Sequence, residues 1–204
     1  MQVNLLNIQP LQNALSGARI CYNSDHLSDS TPEMVGPKDM RLLVNCVKAG
    51  HESVIEHVNA TYMIQGVSRA LTHQLVRHRL VSFSQASQRY INQDHFEFVL
   101  PKSIENSLGE EYFSCRMELI QQWYTEMVEA GVPKEDARFV LPNAATTKIQ
   151  MTCNLRELLH IFRLRLPANA QWEIRQLAKS ILDSLPEQHY ELLYKAVLKG
   201  MGVK

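Results

Sequence analysis

The sequence predicts an α+β fold: a central, mainly antiparallel sheet flanked by several helices, in a single domain spanning residues 1–204. Three observations carry this. Seven stretches read as helices, and four short ones are rich in β-branched and aromatic residues. At 204 residues and 23.4 kDa the chain is long enough for one real core but short for two domains.

Taken in order, VNLLNI (Val3–Ile8) is a first strand, and a helix follows over Leu11–Ile20. Asn23–Pro37 is rich in Ser, Asp and Pro and reads as a loop. Lys38–Ala49 is helical, with Met40, Leu43, Val44 and Val47 at three-to-four spacing and Gly50 as its stop. His57–Ile64 is a strand and Val67–His78 a helix. Phe96–Leu100 is another strand candidate. Glu110–Ala130 is a long helix with Leu119, Trp123 and Met127 on one stripe, ended by Gly131 and Pro133. Ala145–Thr152 alternates as a strand. Asn154 then opens a helix to about Leu166, in a capping box with Glu157 at the third helical position. Helices over Gln171–Ser184 and Glu187–Leu198 complete the chain.

Lys plus Arg and Asp plus Glu both total 21, so a general nucleic-acid coat is disfavoured and any anion site must come from local sorting of charge. Cysteines 21, 46, 115 and 153 form no CxxC pair, so neither a zinc knuckle nor a disulfide framework is indicated, and reduced thiols in a cytoplasmic protein are expected. The start lacks a signal-peptide pattern, and no run is long and apolar enough to span a bilayer, so no membrane partner is expected.

The charge is sorted in one place. From His57 to Gln93 there is no Asp or Glu, yet Arg69, Arg77, Arg79 and Arg89 all fall there. Its densest part, RHRLVSFSQASQRY (Arg77–Tyr90), adds three serines and two glutamines. Guanidinium groups with neutral donors suit a phosphate. A second basic group, Arg156, Arg163 and Arg165, lies on the helix from Asn154. The competing reading is a single-stranded nucleic-acid binding module using Phe83 and Tyr90 for stacking. Phosphate-loop motifs are absent. His51-Glu52 and Glu56-His57 invite a zinc reading, but the second His stands six residues after the first instead of four, so no metal is expected.

Arg77-His78-Arg79, seven residues, then Ser87 resembles the RHR(x7)S signature of the flavin-dependent thymidylate synthases. GHESVIEH (Gly50–His57), ARFVLP (Ala137–Pro142), NLRELLHIFRLR (Asn154–Arg165) and NAQWEIR (Asn169–Arg175) resemble further segments of that family in the same order. The resemblance implies reductive methylation of dUMP to dTMP, with 5,10-methylenetetrahydrofolate as carbon donor and FAD, reduced by NADPH, as hydride donor. It implies a homotetramer with active sites at subunit interfaces and no cysteine nucleophile. For dUMP it implies Gln74, Arg77, Gln85, Ala86, Ser87, Gln88, Arg89, Arg138 and Arg165, with Arg165 also the catalytic cation. For FAD it implies His51, Ser53, Arg77, His78, Arg79, Gln85, Asn154, Arg156 and His160. Two positions depart from relatives: His160 stands where they carry Asn, and Asn169 where they carry His. Either residue can donate to flavin or folate carbonyls, so retuned contacts are expected.

Overall fold

The structure is a computed structural model and describes residues 1–21, 23, 24, 31 and 33–202. Of the loop expected over Asn23–Pro37, residues 25–30 and 32 lie outside these residues, and its last residue, Pro37, opens a helix. Four strands, β1 (Gln2–Ile8), β2 (Asn59–Ser68), β3 (Ser82–Gln85) and β4 (Thr146–Asn154), form one antiparallel sheet in the order β1-β2-β4-β3. The helices are α1 (Gln12–Ile20), α2 (Pro37–Lys48), α3 (Arg69–Leu75), α4 (Leu108–Glu129), α5 (Lys134–Ala137), α6 (Leu155–Arg165), α7 (Trp172–Asp183) and α8 (Glu187–Ala196). Among the described residues no helix is long and apolar enough to cross a membrane.

The chain falls into two compact units. One comprises Met1–Gln2, Ile64–Arg77 and Ser84–Gln150; the other Val3–Met63, His78–Phe83 and Met151–Lys204. In the first, Phe96, Met117 and Ala145 form a small apolar cluster with Phe98, Phe113 and Ile120 packed against it. In the second, α2 packs on α8, and α6 packs on α7 and on a 3-10 turn, Glu52–His57.

The two central strands obey period-two burial. Ala60, Tyr62 and Ile64 of β2 and Ile149, Met151 and Cys153 of β4 are buried, while Thr61 and Thr152 pair their hydroxyls at 3.0 Å. Both strands run straight into a helix through a capping side chain. Ser68 Oγ accepts from the Leu71 N–H at 3.0 Å, and Asn154 Oδ1 accepts from the Glu157 N–H at 2.9 Å, as N-caps do.

Several expectations are corrected. Phe96–Leu100 is no strand: a single bridge joins Phe98 to Ala145. The ladder stops because Pro101 follows and has no N–H. The 82–85 strand was not anticipated. The strand expected from His57 starts at Asn59, and the helix expected from Val67 starts at Arg69, because Ser68 caps it. In α4 the inward stripe holds Met117 and Tyr124, with Phe113 and Ile120 half-buried beside them. Trp123 is exposed, so the Leu119–Trp123–Met127 stripe is displaced round the helix. The Phe113–Met117–Ile120–Tyr124 spacing of 4, 3 and 4 competes with it, and its Phe113, Met117 and Ile120 pack in the apolar cluster around Phe96 and Ala145.

Gly50 ends α2 in the left-handed region at φ +85°. Its N–H donates to Val47 O and the His51 N–H to Cys46 O, a Schellman closure that fixes where His51 begins. Gly50→Ala should therefore destabilise the chain by about 1–2 kcal/mol, read as a lower urea midpoint. Gly200→Ala, in ordinary backbone and open space, should stay within about 0.5 kcal/mol. Equal midpoints for the two variants would contradict this account of the turn.

Candidate active site

In the first unit, α3 is anchored at its start: the Arg69 N–H donates to Ala145 O and the Ala70 N–H to Asn143 O. Arg69 Nη1 reaches the Ala86 carbonyl at 3.4 Å. Gln85 Nε2 donates to Thr72 Oγ1 at 3.0 Å and to Thr147 Oγ1 at 3.4 Å. These bonds pin the amide nitrogen and leave Gln85 Oε1 as an acceptor. Ser87 Oγ accepts from the Arg89 N–H at 3.2 Å, which leaves its own O–H to donate. Gln74 and Arg77 are joined through the backbone turn, Arg77 N–H to Gln74 O. Gln88 lies half-buried in the turn after Ser87.

Glu135 of α5 ties two of the expected substrate arginines. Its carboxylate accepts from Arg89 Nε and Nη2 at 3.0 and 2.8 Å, and its carbonyl accepts from Arg138 Nε at 2.9 Å. Burial and then the Arg138 charge push the Arg69 guanidinium below its ordinary value, the mark of two cations sharing one neighbourhood. Sequence reasoning placed Arg69 in the carboxylate-free window without assigning it a ligand, and missed Glu135 as part of this group. Glu135 stands three residues before Arg138, which could have flagged it.

In the second unit, the Asn154 cap delivers α6, and Leu155 N–H donates to Val58 O. A cleft of about 570 Å³ is lined by Asn154, Arg156, Glu157, His160 and Arg163 together with Glu52 and Glu56. Its volume lies in the range of small-molecule sites. Arg156 pairs with Glu56 and, at 3.6 Å, with Glu52; Arg163 pairs with Glu52 at 2.6 Å. The carboxylates of HESVIEH are thus counter-ions to arginines. His51, Ser53, Arg79, Arg156 and His160 are exposed.

His78 is the exception within Arg77-His78-Arg79: the arginines are exposed and the histidine is buried. Its Nε2 accepts from Arg165 Nε at 3.1 Å, and its Nδ1 lies 3.3 Å from Glu157 Oε1. The His160 ring meets it edge-on, centroids 5.8 Å apart. Arginine has no lone pair to offer, so Nε2 must be the unprotonated nitrogen and Nδ1 carries the proton. Burial first, then the charges of Arg165 and His160, lower the His78 pKa to about 4. Burial raises Glu157, with His160 opposing.

Among the described residues, His78, Glu157 and His160 bring ligand atoms within 4.8 Å of one another. The His78 lone pair is already committed to Arg165, and Arg156 and Arg163 line the same cleft, so the donor set is poorly suited to a cation. Neither buried thiol is poised for attack. Cys153 is buried and its pKa pushed up to about 12 by burial and then by Glu157; Cys46 is raised by burial and then by Cys21. The remaining cysteines, Cys21 and Cys115, are exposed.

Fold and side chains define an α+β protein that clusters its arginines and keeps a buried, neutral histidine against one of them. The family model "Thymidylate synthase complementing protein" matches residues 5–189. A flavin-dependent thymidylate synthase of Geobacter sulfurreducens is 43% identical over 187 residues, covering 89% of this chain and 81% of that protein. One of Pyrococcus abyssi is 41% identical over 197 residues, covering 92% and 80%. The crystal structure of thymidylate synthase X from Helicobacter pylori with FAD and dUMP superposes with a TM-score of 0.81 at 27% identity, covering 97% of this chain and 99% of that one. The chain belongs to the flavin-dependent thymidylate synthase family.

The His78 shift sets a pH dependence. The unfolded chain takes up this proton near pH 6.5, the folded chain only near 4. Between those values the unfolded state binds more protons, so stability falls as pH drops through the window. Glu157, raised in the folded state, offsets part of the loss at the acid end. The urea midpoint of the wild type should therefore fall more steeply from pH 6.5 to 4 than that of His78→Gln. Parallel curves would contradict the buried neutral imidazole.

Proposed function

We propose that this chain converts dUMP to dTMP by reductive methylation, taking the carbon from 5,10-methylenetetrahydrofolate. FAD, reduced by NADPH, supplies the hydride when bound. The reading rests on one observation above the others: the Arg77-His78-Arg79…Ser87 motif stands in a chain that matches the family over residues 5–189.

In this reading Gln74, Arg77, Gln85, Ala86, Ser87, Gln88, Arg89 and Arg138 hold dUMP. The arginines and the Ser87 hydroxyl suit the 5′-phosphate, Gln74 and Gln85 a sugar hydroxyl or base edge, and Ala86 and Gln88 act from the adjoining backbone. Arg89 exchanges Glu135 for phosphate. The Arg89–Glu135 pair is half-exposed, and such pairs contribute only about 0–1 kcal/mol, less than a charge-assisted pair of bonds to phosphate. The flavin is held by His51, Ser53, Arg77, His78, Arg79, Gln85, Asn154, Arg156 and His160, of which His78 is buried. The donor types fit: exposed guanidinium groups for the pyrophosphate, and amide and imidazole groups for ring carbonyls and nitrogens.

Uracil C5 is a poor nucleophile. Arg165, protonated at any working pH, favours ionisation at N3 and stabilises the negative charge that builds on the ring as C5 attacks the one-carbon unit. The assembly is a homotetramer with active sites between subunits, each chain of 204 residues acting as one functional domain in the cytoplasm. The single-stranded nucleic-acid reading is not supported: the chain matches the thymidylate synthase family over residues 5–189.

The protein should purify yellow or take up FAD, and dUMP should perturb the flavin spectrum. Arg165→Ala should lower kcat by about 10²–10³, the scale for losing one charge-stabilising donor, with FAD still bound. A near-normal rate in that variant, or a chain that cannot be loaded with FAD, would contradict the proposal.

A further inference from the structure

Glu157 is buried, and a buried carboxylate needs a partner. Helix capping does not supply one. The Glu157 N–H is already satisfied by Asn154 Oδ1, and that bond uses the backbone and not the carboxylate. The neighbouring cations Arg156 and Arg163 are paired with Glu56 and Glu52. The carboxylate sits instead 3.3 Å from His78 Nδ1.

The three groups form a chain with one consistent proton placement. Arg165 Nε–H donates to His78 Nε2. Were the ring proton on Nε2, two N–H groups would oppose each other at 3.1 Å. The carboxylate on the far side favours the proton at Nδ1, where it can accept it, and so keeps Nε2 as a lone pair. Anchoring Arg165 by Nε fixes the plane of the guanidinium and leaves both terminal amino groups out of this bond.

We propose that Glu157 is a positioning residue for Arg165, acting through His78: its carboxylate selects the His78 tautomer, and the tautomer fixes where the Arg165 cation sits. The proposal deepens the functional reading above and rests on Arg165 being the activating cation. His78 serves as a neutral linker and transfers no proton. Its low pKa agrees with that role, because a protonated ring would have no acceptor for Arg165.

The test combines ¹⁵N NMR of histidine-labelled, FAD-loaded full-length protein with steady-state kinetics. In the wild type, His78 should show a protonated Nδ1 and an unprotonated Nε2. Glu157→Ala should give a mixed or reversed tautomer and lower kcat about 10- to 100-fold, the usual scale for removing a partner that orients a functional histidine, with KM for dUMP changed less than about threefold. Glu157→Gln keeps an oxygen acceptor, so it should retain the wild-type tautomer and a kcat within about threefold. Three results would overturn the proposal: a proton on Nε2 in the wild type, wild-type kcat with an unchanged tautomer in Glu157→Ala, or equal losses in the Gln and Ala variants. Should the Ala variant not fold, the wild-type tautomer and the Gln variant still decide. A wild type with no turnover of dUMP would count against the functional reading instead, and the tautomer would remain readable.

Discussion

One imidazole, held between a carboxylate and a guanidinium, organises the site. His78 is buried among charges, and it can remain there only as a neutral ring with one donor and one acceptor satisfied. The surrounding architecture makes that possible. β4 ends at Asn154, whose cap starts α6 in a fixed phase. Glu157 and Arg165 then stand near opposite ends of one helix and meet the same ring from its two nitrogens. Within Arg77-His78-Arg79, the histidine turns in while the arginines turn out, so one motif supplies both an internal strut and external cations.

The neutral net charge of the chain comes from 21 basic and 21 acidic residues, and several of the acids pair with the arginines described above. Glu52, Glu56 and Glu135 hold Arg156, Arg163 and Arg89 in place. The Arg89–Glu135 and Arg156–Glu56 pairs are solvated and therefore weak, whereas Glu52 is largely buried where it meets Arg163. Together these carboxylates limit repulsion among the arginines. Arg165 differs, because its Nε bonds to a neutral nitrogen, which does not offset the positive charge.

Much of this was legible in the sequence, for physical reasons. The helical stripe of Met40, Leu43, Val44 and Val47, the Asn154 cap and the Gly50 stop are local signals, and each appears where expected. The RHR(x7)S spacing identified the family. Signals that depend on long-range packing were not legible. The α4 face was chosen by the Phe96–Met117–Ala145 cluster, and Phe98 was limited to one bridge by Pro101. Nor could the carboxylate-free window show that Arg89 reaches Glu135, 46 residues away, or that Glu157, read as part of a capping box, spends its carboxylate on His78.

At the centre stands the claim that a fixed guanidinium, and not a thiol, activates the pyrimidine. The most direct measurement is the denatured mass of the chain quenched during turnover with dUMP, folate and reduced FAD. The account predicts dTMP formation with every cysteine-containing peptide at its unmodified mass. A nucleotide bound covalently to Cys21, Cys46, Cys115 or Cys153, formed and consumed at the turnover rate, would contradict it.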